Sequence, residues 1–187
     1  MAERQGPPVR SPYEGRLVRL RAFEPGDTNI IHAWMNDPEV QLYQGVRYPR
    51  SKAQVAKRAE QDGTPGYQHL ALAVETLADS RLIGDVSLER TSAEDRSALL
   101  GITIGDKSLW DGGYGTDTMR VICRVGFEVM NLHRIELHVF AGNERARHVY
   151  KKVGFQEEGI LREVLFKNGR YIDDVIMSLL PGELVAD

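Results

Sequence analysis

The sequence predicts a single mixed α/β domain. Three observations carry this reading. The 187 residues are 42% hydrophobic and 27% charged, enough for one sizeable core. Apolar runs of strand period and of helical period succeed one another along the chain. One strand–helix–strand unit (97–105, 114–130, 133–140) predicts a parallel strand pair, while short connectors elsewhere predict antiparallel neighbours.

Taken in order, 16–21 alternates charged and apolar residues and predicts a half-buried strand. Pro25-Gly26-Asp27 stops it and opens a helix over about 27–36, with Ile30, Ile31, Trp34 and Met35 on one stripe and Asp37-Pro38 at its end. Residues 39–50 hold Leu42, Tyr43, Tyr48 and Pro49 without a period and predict a loop. Ser51 predicts the N-cap of a short polar helix to about Asp62, anchored by Val55, and 63–66 is a break. Strands follow at 69–75, 81–90 and 97–105, connected as a meander.

The helix over 114–130 is apolar around most of its circumference. Met119, Ile122, Cys123, Gly126, Phe127 and Met130 form one stripe, and Val121, Val125 and Val129 another. Arg120, Arg124 and Glu128 face outward, with Arg124 and Glu128 spaced as an i,i+4 pair. After the strand 133–140 and the turn Ala141-Gly142-Asn143, a helix over 144–153 carries Ala146, Val149, Tyr150 and Val153 inward and stops at Gly154. Strands 155–166 and 170–180 are joined by Lys167-Asn168-Gly169, a hairpin signal. Residues 1–12 and 182–187 read as tails around a domain spanning 13–181.

Composition excludes some functions. A net charge of -3 gives no electrostatic case for binding nucleic acid or a membrane surface. No run approaches the ~20 apolar residues of a membrane span. The lone Cys123 excludes an internal disulfide, and the first residues lack the apolar segment of a secretory leader, so the expected compartment is the cytoplasm.

Chemistry concentrates in Trp110-Asp111-Gly112-Gly113-Tyr114-Gly115-Thr116. A glycine-rich turn between a strand and a helix presents backbone N–H groups where the helix dipole is positive, which suits a phosphate or pyrophosphate. The plainer alternative is a tight connection. A Walker-type loop is excluded, because Gly115 is followed by Thr116-Asp117 rather than Lys-Ser/Thr. A dinucleotide fingerprint is excluded by Thr118 in place of its third glycine and by the late position after a meander.

This turn, followed by Asn143-Glu144-Arg145-Ala146-Arg147-His148-Val149-Tyr150-Lys151-Lys152-Val153-Gly154-Phe155, resembles the GNAT N-acetyltransferase superfamily. The likeness is greatest to the subgroup of ribosomal-protein N-terminal and spermidine acetyltransferases. Trp34-Met35-Asn36-Asp37-Pro38-Glu39-Val40, Gly159-Ile160-Leu161-Arg162-Glu163, Gly169-Arg170-Tyr171-Ile172-Asp173 and Met177 extend the resemblance over 15–180. It implies a central, mostly antiparallel sheet splayed at the parallel strand pair, with helices on both faces. It also implies acetyl-CoA as co-substrate, with no metal.

By that resemblance the backbone of Asp111, Gly112, Gly113, Tyr114, Gly115 and Thr116 holds the pyrophosphate, and Ile102, Thr103 and Ile104 hold the pantetheine arm. Tyr150, seven residues after Asn143, protonates the departing CoA thiolate. The resemblance also implies that Asn143 contacts the cofactor or acceptor and that Tyr150 lies against the cofactor; without it, Tyr150 reads as a core tyrosine and Asn143 as a plain N-cap. Departures from the family pattern are Trp110 at the leading Gln/Arg position, Gly112 where a basic residue is frequent, Asp111 beside the anion site, and Ala146 for a serine. A glutamate that some members use as general base is Leu99 here, which leaves Asp85, Glu89, Glu136 and His138 on neighbouring strands.

The resemblance places the acceptor near Tyr43, Tyr48, Glu89 and 162–166. The loop has no acidic cluster, so a polyamine is less favoured than a peptide N-terminus, an amino acid or another small amine. A homodimer is left open. Leu99 and Asp111 keep a non-catalytic acyl-CoA sensor as the rival reading, and transfer of a longer acyl group is a third.

Overall fold

A computed structural model of the protein describes residues 11–45, 48–62 and 66–185. The strands are β1 (Val18–Arg21), β2 (Leu70–Thr76), β3 (Leu82–Ser92), β4 (Ser97–Ile104), β5 (Arg134–Phe140), β6 (Gln156–Lys167) and β7 (Arg170–Leu179). The helices are α1 (Thr28–Met35), α2 (Lys52–Asp62), α3 (Tyr114–Arg124) and α4 (Glu144–Val153). The strands form one sheet in the order β1-β2-β3-β4-β5-β7-β6. Every pairing is antiparallel except that of β4 with β5.

Side-chain alternation divides the sheet. Leu72, Val86, Leu88 and Leu100 join Met119, Ile122 and Cys123 of α3 in the core. On the opposite face Ala71, Asp85, Ser87 and Glu89 look toward Trp34 of α1 and Val55 of α2. Period two puts the apolar positions of β3 under α3 and its polar ones under α1 and α2. Ser51 caps α2 as expected: its Oγ accepts from Gln54 N at 3.2 Å, and Gln54 Oε1 accepts from Ser51 N at 2.9 Å, which completes a capping box. In the β6–β7 hairpin Asn168 (φ 51°) and Gly169 (φ 78°) both take the positive φ that a two-residue type I′ turn requires.

The parallel pair is short. Ser97, Ala98 and Leu99 register with Arg134, Ile135 and Glu136, and then the strands part. β4 continues along β3 as far as Ile104, while β5 continues along β7 as far as Phe140. The edge of β4 from Ile102 to Ile104 is thereby left open.

Two polar clusters fasten the two ends of β1, an edge strand of the sheet. The Asp117 carboxylate, in the first turn of α3, accepts from the backbone N–H of Arg16 (3.1 Å), Leu17 (2.7 Å) and Val18 (3.0 Å). A Cβ on Gly15 would stand 2.4 Å from that carboxylate, so the close approach requires glycine. At the other end of β1, Arg21 bridges Asp27 (2.8 and 3.0 Å) and Glu75 (2.6 Å), and Arg19 also pairs with Glu75.

Three sequence expectations need correcting. The predicted helix 114–130 is α-helical only to Arg124, and Val125–Val129 is a π turn that brings Gly126 against Ile135, Leu132 and Leu88. A 3.6-residue period cannot register such a widening. Arg124 does not pair with Glu128; it donates to the carbonyls of Pro12 (3.3 Å) and Glu14 (2.7 Å). The segment read as a C-terminal tail forms the short helical turn Pro181–Glu183, and Val185 N donates to Val153 O at 2.9 Å. Residues 1–10, 63–65 and 186–187, which include most of the expected N-terminal tail and the predicted break, lie outside the described residues.

Candidate active site

The open edge of β4 faces a cleft of about 750 Å³. Its walls are β4, the N-terminus of α3, one side of α4, and the turn Val40–Tyr43 with its neighbours. This volume lies within the range of small-molecule and cofactor sites.

At the N-terminus of α3, Gly113 takes φ 86°. The first backbone bond of the helix runs from Asp117 N to Gly113 O at 3.0 Å. The amides of Tyr114, Gly115 and Thr116 therefore have no backbone acceptor, as at any helix start. Together with the positive end of the dipole they make an anion site. Along β4, Trp110 Nε1 donates to Ile104 O at 2.8 Å, away from β3. Carbonyl directions alternate along a strand, so the backbone groups of Ile102 also face the gap and those of Thr103 face β3. Ile102 is thus the residue with free backbone groups for a ligand arm.

Asn143 sits at the start of α4. Its Oδ1 caps α4 by accepting from Ala146 N at 3.2 Å, and the residue lines the cleft. Tyr150 lines the same cleft, its ring tilted against Phe155 at 6.2 Å between centroids. Burial pushes its phenol up to about 12, so it holds its proton throughout the physiological range. His138 of β5 also lines the cleft, with Nε2 3.2 Å from Glu136 Oε1 and Nδ1 3.7 Å from Asp174 Oδ2. Glu136 is bound by Arg134 at 2.9 Å, and that hydrogen bond holds its carboxyl below the usual range. Leu99 pairs with Glu136 in the parallel ladder and contributes no titratable group.

The predicted site residues distribute unevenly. Ile102, Thr103, Ile104, Asp111, Gly113, Gly115, Thr116, Asn143, Tyr150 and Tyr43 come together in the cleft. Gly112 does not: its N–H is spent on Leu109 O at 3.3 Å, inside the turn. The Tyr114 side chain packs against the core, leaving only its amide at the anion site. Tyr48 is 80% exposed and lines neither cavity, because aromatic character alone does not aim a side chain. Glu89 lines a separate cavity of about 190 Å³ together with Asp85 and Ser87, and Ser87 Oγ donates to Glu89 Oε1 at 2.9 Å. The two cavities share Gln44, Gly101, Ile102 and Thr103, so they meet across β4.

Sequence reading missed the charge that offsets Asp111. Arg145, His148 and Lys152 line the cleft from α4, and the Arg145 guanidinium lies 4.1 Å from the Trp110 ring centroid. With Val149 these residues fall at i, i+3, i+4 and i+7, a second stripe beside the apolar one that spacing alone could have revealed. It also missed Glu39, Val40 and Gln44, which have no periodic signal. Lys107 ties their turn to the glycine loop through Asp37 and Glu39, each at 2.8 Å. Among the described residues no group of His, Cys, Asp or Glu is placed to hold a metal, and no helix is long and apolar enough to cross a membrane.

Comparison with known proteins agrees with this architecture. Residues 17–156 match the family model of the acetyltransferase (GNAT) domain. The spermidine N(1)-acetyltransferase of Vibrio cholerae is 34% identical over 166 residues, covering 89% of this chain and 94% of that protein. The putative ribosomal N-acetyltransferase YdaF of Bacillus subtilis is 36% identical over 107 residues, 57% of this chain and 58% of that protein. A crystal structure of the Vibrio cholerae spermidine N-acetyltransferase with CoA and spermine superposes with a TM-score of 0.81 at 31% identity, covering 89% of this chain and 96% of that one.

Proposed function

The chain belongs to the GNAT family of acetyl-CoA-dependent N-acetyltransferases, and from that premise we propose that its acceptor is a small amine carrying a second cationic group. The observation that carries the reading is the meeting of the two cavities at Gly101, Ile102 and Thr103. One cavity offers an anion site and a protonated phenol. The other is lined by the carboxylates of Asp85 and Glu89, by Ser87 and by the Arg58 guanidinium. These carboxylates come from alternate positions of β3 rather than from the loop, so a polyamine is favoured more by the fold than by the sequence.

The roles follow from position. The amides of Tyr114, Gly115 and Thr116 hold the pyrophosphate, with Arg145 and Lys152 supplying the positive charge that the glycine loop lacks. Ile102 offers backbone groups to the pantetheine arm, which orients the thioester between the cavities. Glu89, whose Oε1 accepts from Ser87 Oγ, holds the far end of the acceptor as a cation. The neutral amine nitrogen bonds to the acyl carbon, the carbon–sulfur bond breaks, and Tyr150 gives its proton to the departing sulfur. His138, held between Glu136 and Asp174, takes the proton that the nitrogen loses, directly or through a water. The product is an acetamide and free CoA thiol.

The test is thiol release from acetyl-CoA with spermidine, a free amino acid and a peptide with a free N-terminus, with mass detection of the product. Acetylated spermidine is the expected outcome. Tyr150→Phe should lower kcat about a hundredfold while leaving acetyl-CoA affinity unchanged. Saturable acetyl-CoA binding with no acetylated amine would overturn the reading in favour of an acyl-CoA sensor.

A further inference from the structure

Gln41 is held at both ends and leaves one oxygen over. Its backbone carbonyl accepts from Lys167 Nζ at 2.6 Å, and its side-chain Nε2 donates to Trp34 O at 3.2 Å. Lys167 Nζ also donates to Gln44 O at 2.5 Å and lies 5.6 Å from the Phe140 ring centroid. The ammonium thus closes the C-terminal end of the turn Val40–Tyr43, where carbonyls lack helical partners. Burial lowers the proton affinity of Lys167, as befits an ammonium withdrawn from water to hold a wall in place.

The orientation of the Gln41 amide follows from these bonds. Only its NH2 group can donate to the Trp34 carbonyl, so Oε1 faces the other way. That oxygen is shielded from solvent and has no hydrogen-bond partner among the described residues. Buried acceptors are nearly always satisfied, and one left over invites a donor from a ligand. Gln41 lines the smaller cavity with Asp85, Ser87 and Glu89. An amine or ammonium brings N–H donors to that wall.

We propose that Gln41 Oε1 accepts an N–H of the acceptor in the smaller cavity, and that Lys167 is the positioning residue that sets Gln41 there. The proposal rests on the amine-acetyltransferase reading above. It makes the end of the β6–β7 hairpin, which supplies Lys167, a determinant of acceptor affinity.

The experiment compares Gln41→Met, Lys167→Met and Lys167→Arg with wild type. The readouts are spermidine kinetics, acetyl-CoA affinity by calorimetry and amide hydrogen exchange over 39–45. Gln41→Met should raise the spermidine KM roughly tenfold, the loss of one hydrogen bond to a charged donor, with kcat and acetyl-CoA affinity within about twofold. Lys167→Met should raise KM similarly and speed exchange in 39–45. Lys167→Arg, which can still donate to both carbonyls, should restore most of the loss. An unchanged KM in Gln41→Met overturns the proposal, as does faster exchange in Lys167→Met without a KM change. If wild type acetylates no amine, the functional reading fails by itself. Spermidine calorimetry with CoA present then decides this proposal: weaker binding to Gln41→Met sustains it, and equal binding, or none to either protein, overturns it.

Discussion

Replacing Asp117 by alanine should be among the most damaging single changes outside the hydrophobic core. The carboxylate is buried and accepts three backbone N–H groups, from Arg16, Leu17 and Val18, at 3.1, 2.7 and 3.0 Å. A hydrogen bond to a charged group contributes about 1.5–3 kcal/mol, and stranding a buried donor carries a comparable penalty. A simple sum overstates the loss, because only the bond to Val18 is fully buried and water can reach the other two amides. Two bonds' worth, about 3–6 kcal/mol, is the reasonable expectation. At ~2–4 °C per kcal/mol for a domain of this size, Tm should fall by roughly 6–24 °C. Asp117→Asn keeps one oxygen as acceptor but turns an NH2 toward a donor, so it should lose less than alanine. Gly15→Ala should fall in the same direction, since its methyl would stand 2.4 Å from the carboxylate. Thermal melts followed by circular dichroism, with urea titration for ΔG, give the ranking. An Asp117→Ala protein melting within ~2 °C of wild type would refute the argument that this carboxylate fastens β1 to α3.

Three further outcomes are expected. Arg145→Ala should weaken acetyl-CoA binding about five- to tenfold by calorimetry, and the difference should shrink in high salt, because the lost interaction is between charges near the surface. Burial raises the carboxyls of Glu75 and Asp27, but hydrogen bonds from Arg21 outweigh it and hold both below their ordinary values of 4.5 and 3.8. Folded values below unfolded ones mean stability that is present above about pH 4.5 and lost as pH falls through the lowered values, so Tm should drop steeply below pH 4.5 in wild type and less steeply in Arg21→Met. Gly105→Ala should raise the acceptor KM more than that for acetyl-CoA, because its Cβ would stand 2.1 Å from the Trp34 ring that lines the smaller cavity.

Much of the fold was legible because its rules are local. The alternation of β3, the Ser51 cap, the Asn168-Gly169 turn and the strand–helix–strand unit each announce themselves within a few residues. The glycine turn at the head of the cleft was legible for the same reason: a helix N-terminus brings its own amides with it. What sequence could not convey is partnership across the chain. Asp117 reads as an ordinary acidic residue in a first helical turn, while its partners are about a hundred residues earlier. Lys167 reads as a turn residue, yet it reaches carbonyls 126 and 123 residues away. The smaller cavity was the least legible part. Asp85, Ser87 and Glu89 share a face by simple alternation, but which helices roof that face is decided by packing. Tyr48 failed as a site residue for the converse reason, since nothing packs it toward the cleft.

The division of the site by β4 has an optical consequence. The chain has two tryptophans. Trp34 lines the smaller cavity, and Trp110 lines the larger cleft beneath Arg145. Each cavity therefore carries its own intrinsic fluorophore. A Trp34→Phe protein would report only on events in the cleft, and a Trp110→Phe protein only on events in the smaller cavity. Mixing either with acetyl-CoA or amine in a stopped-flow instrument would resolve the order in which the two substrates arrive, without any label attached to the protein.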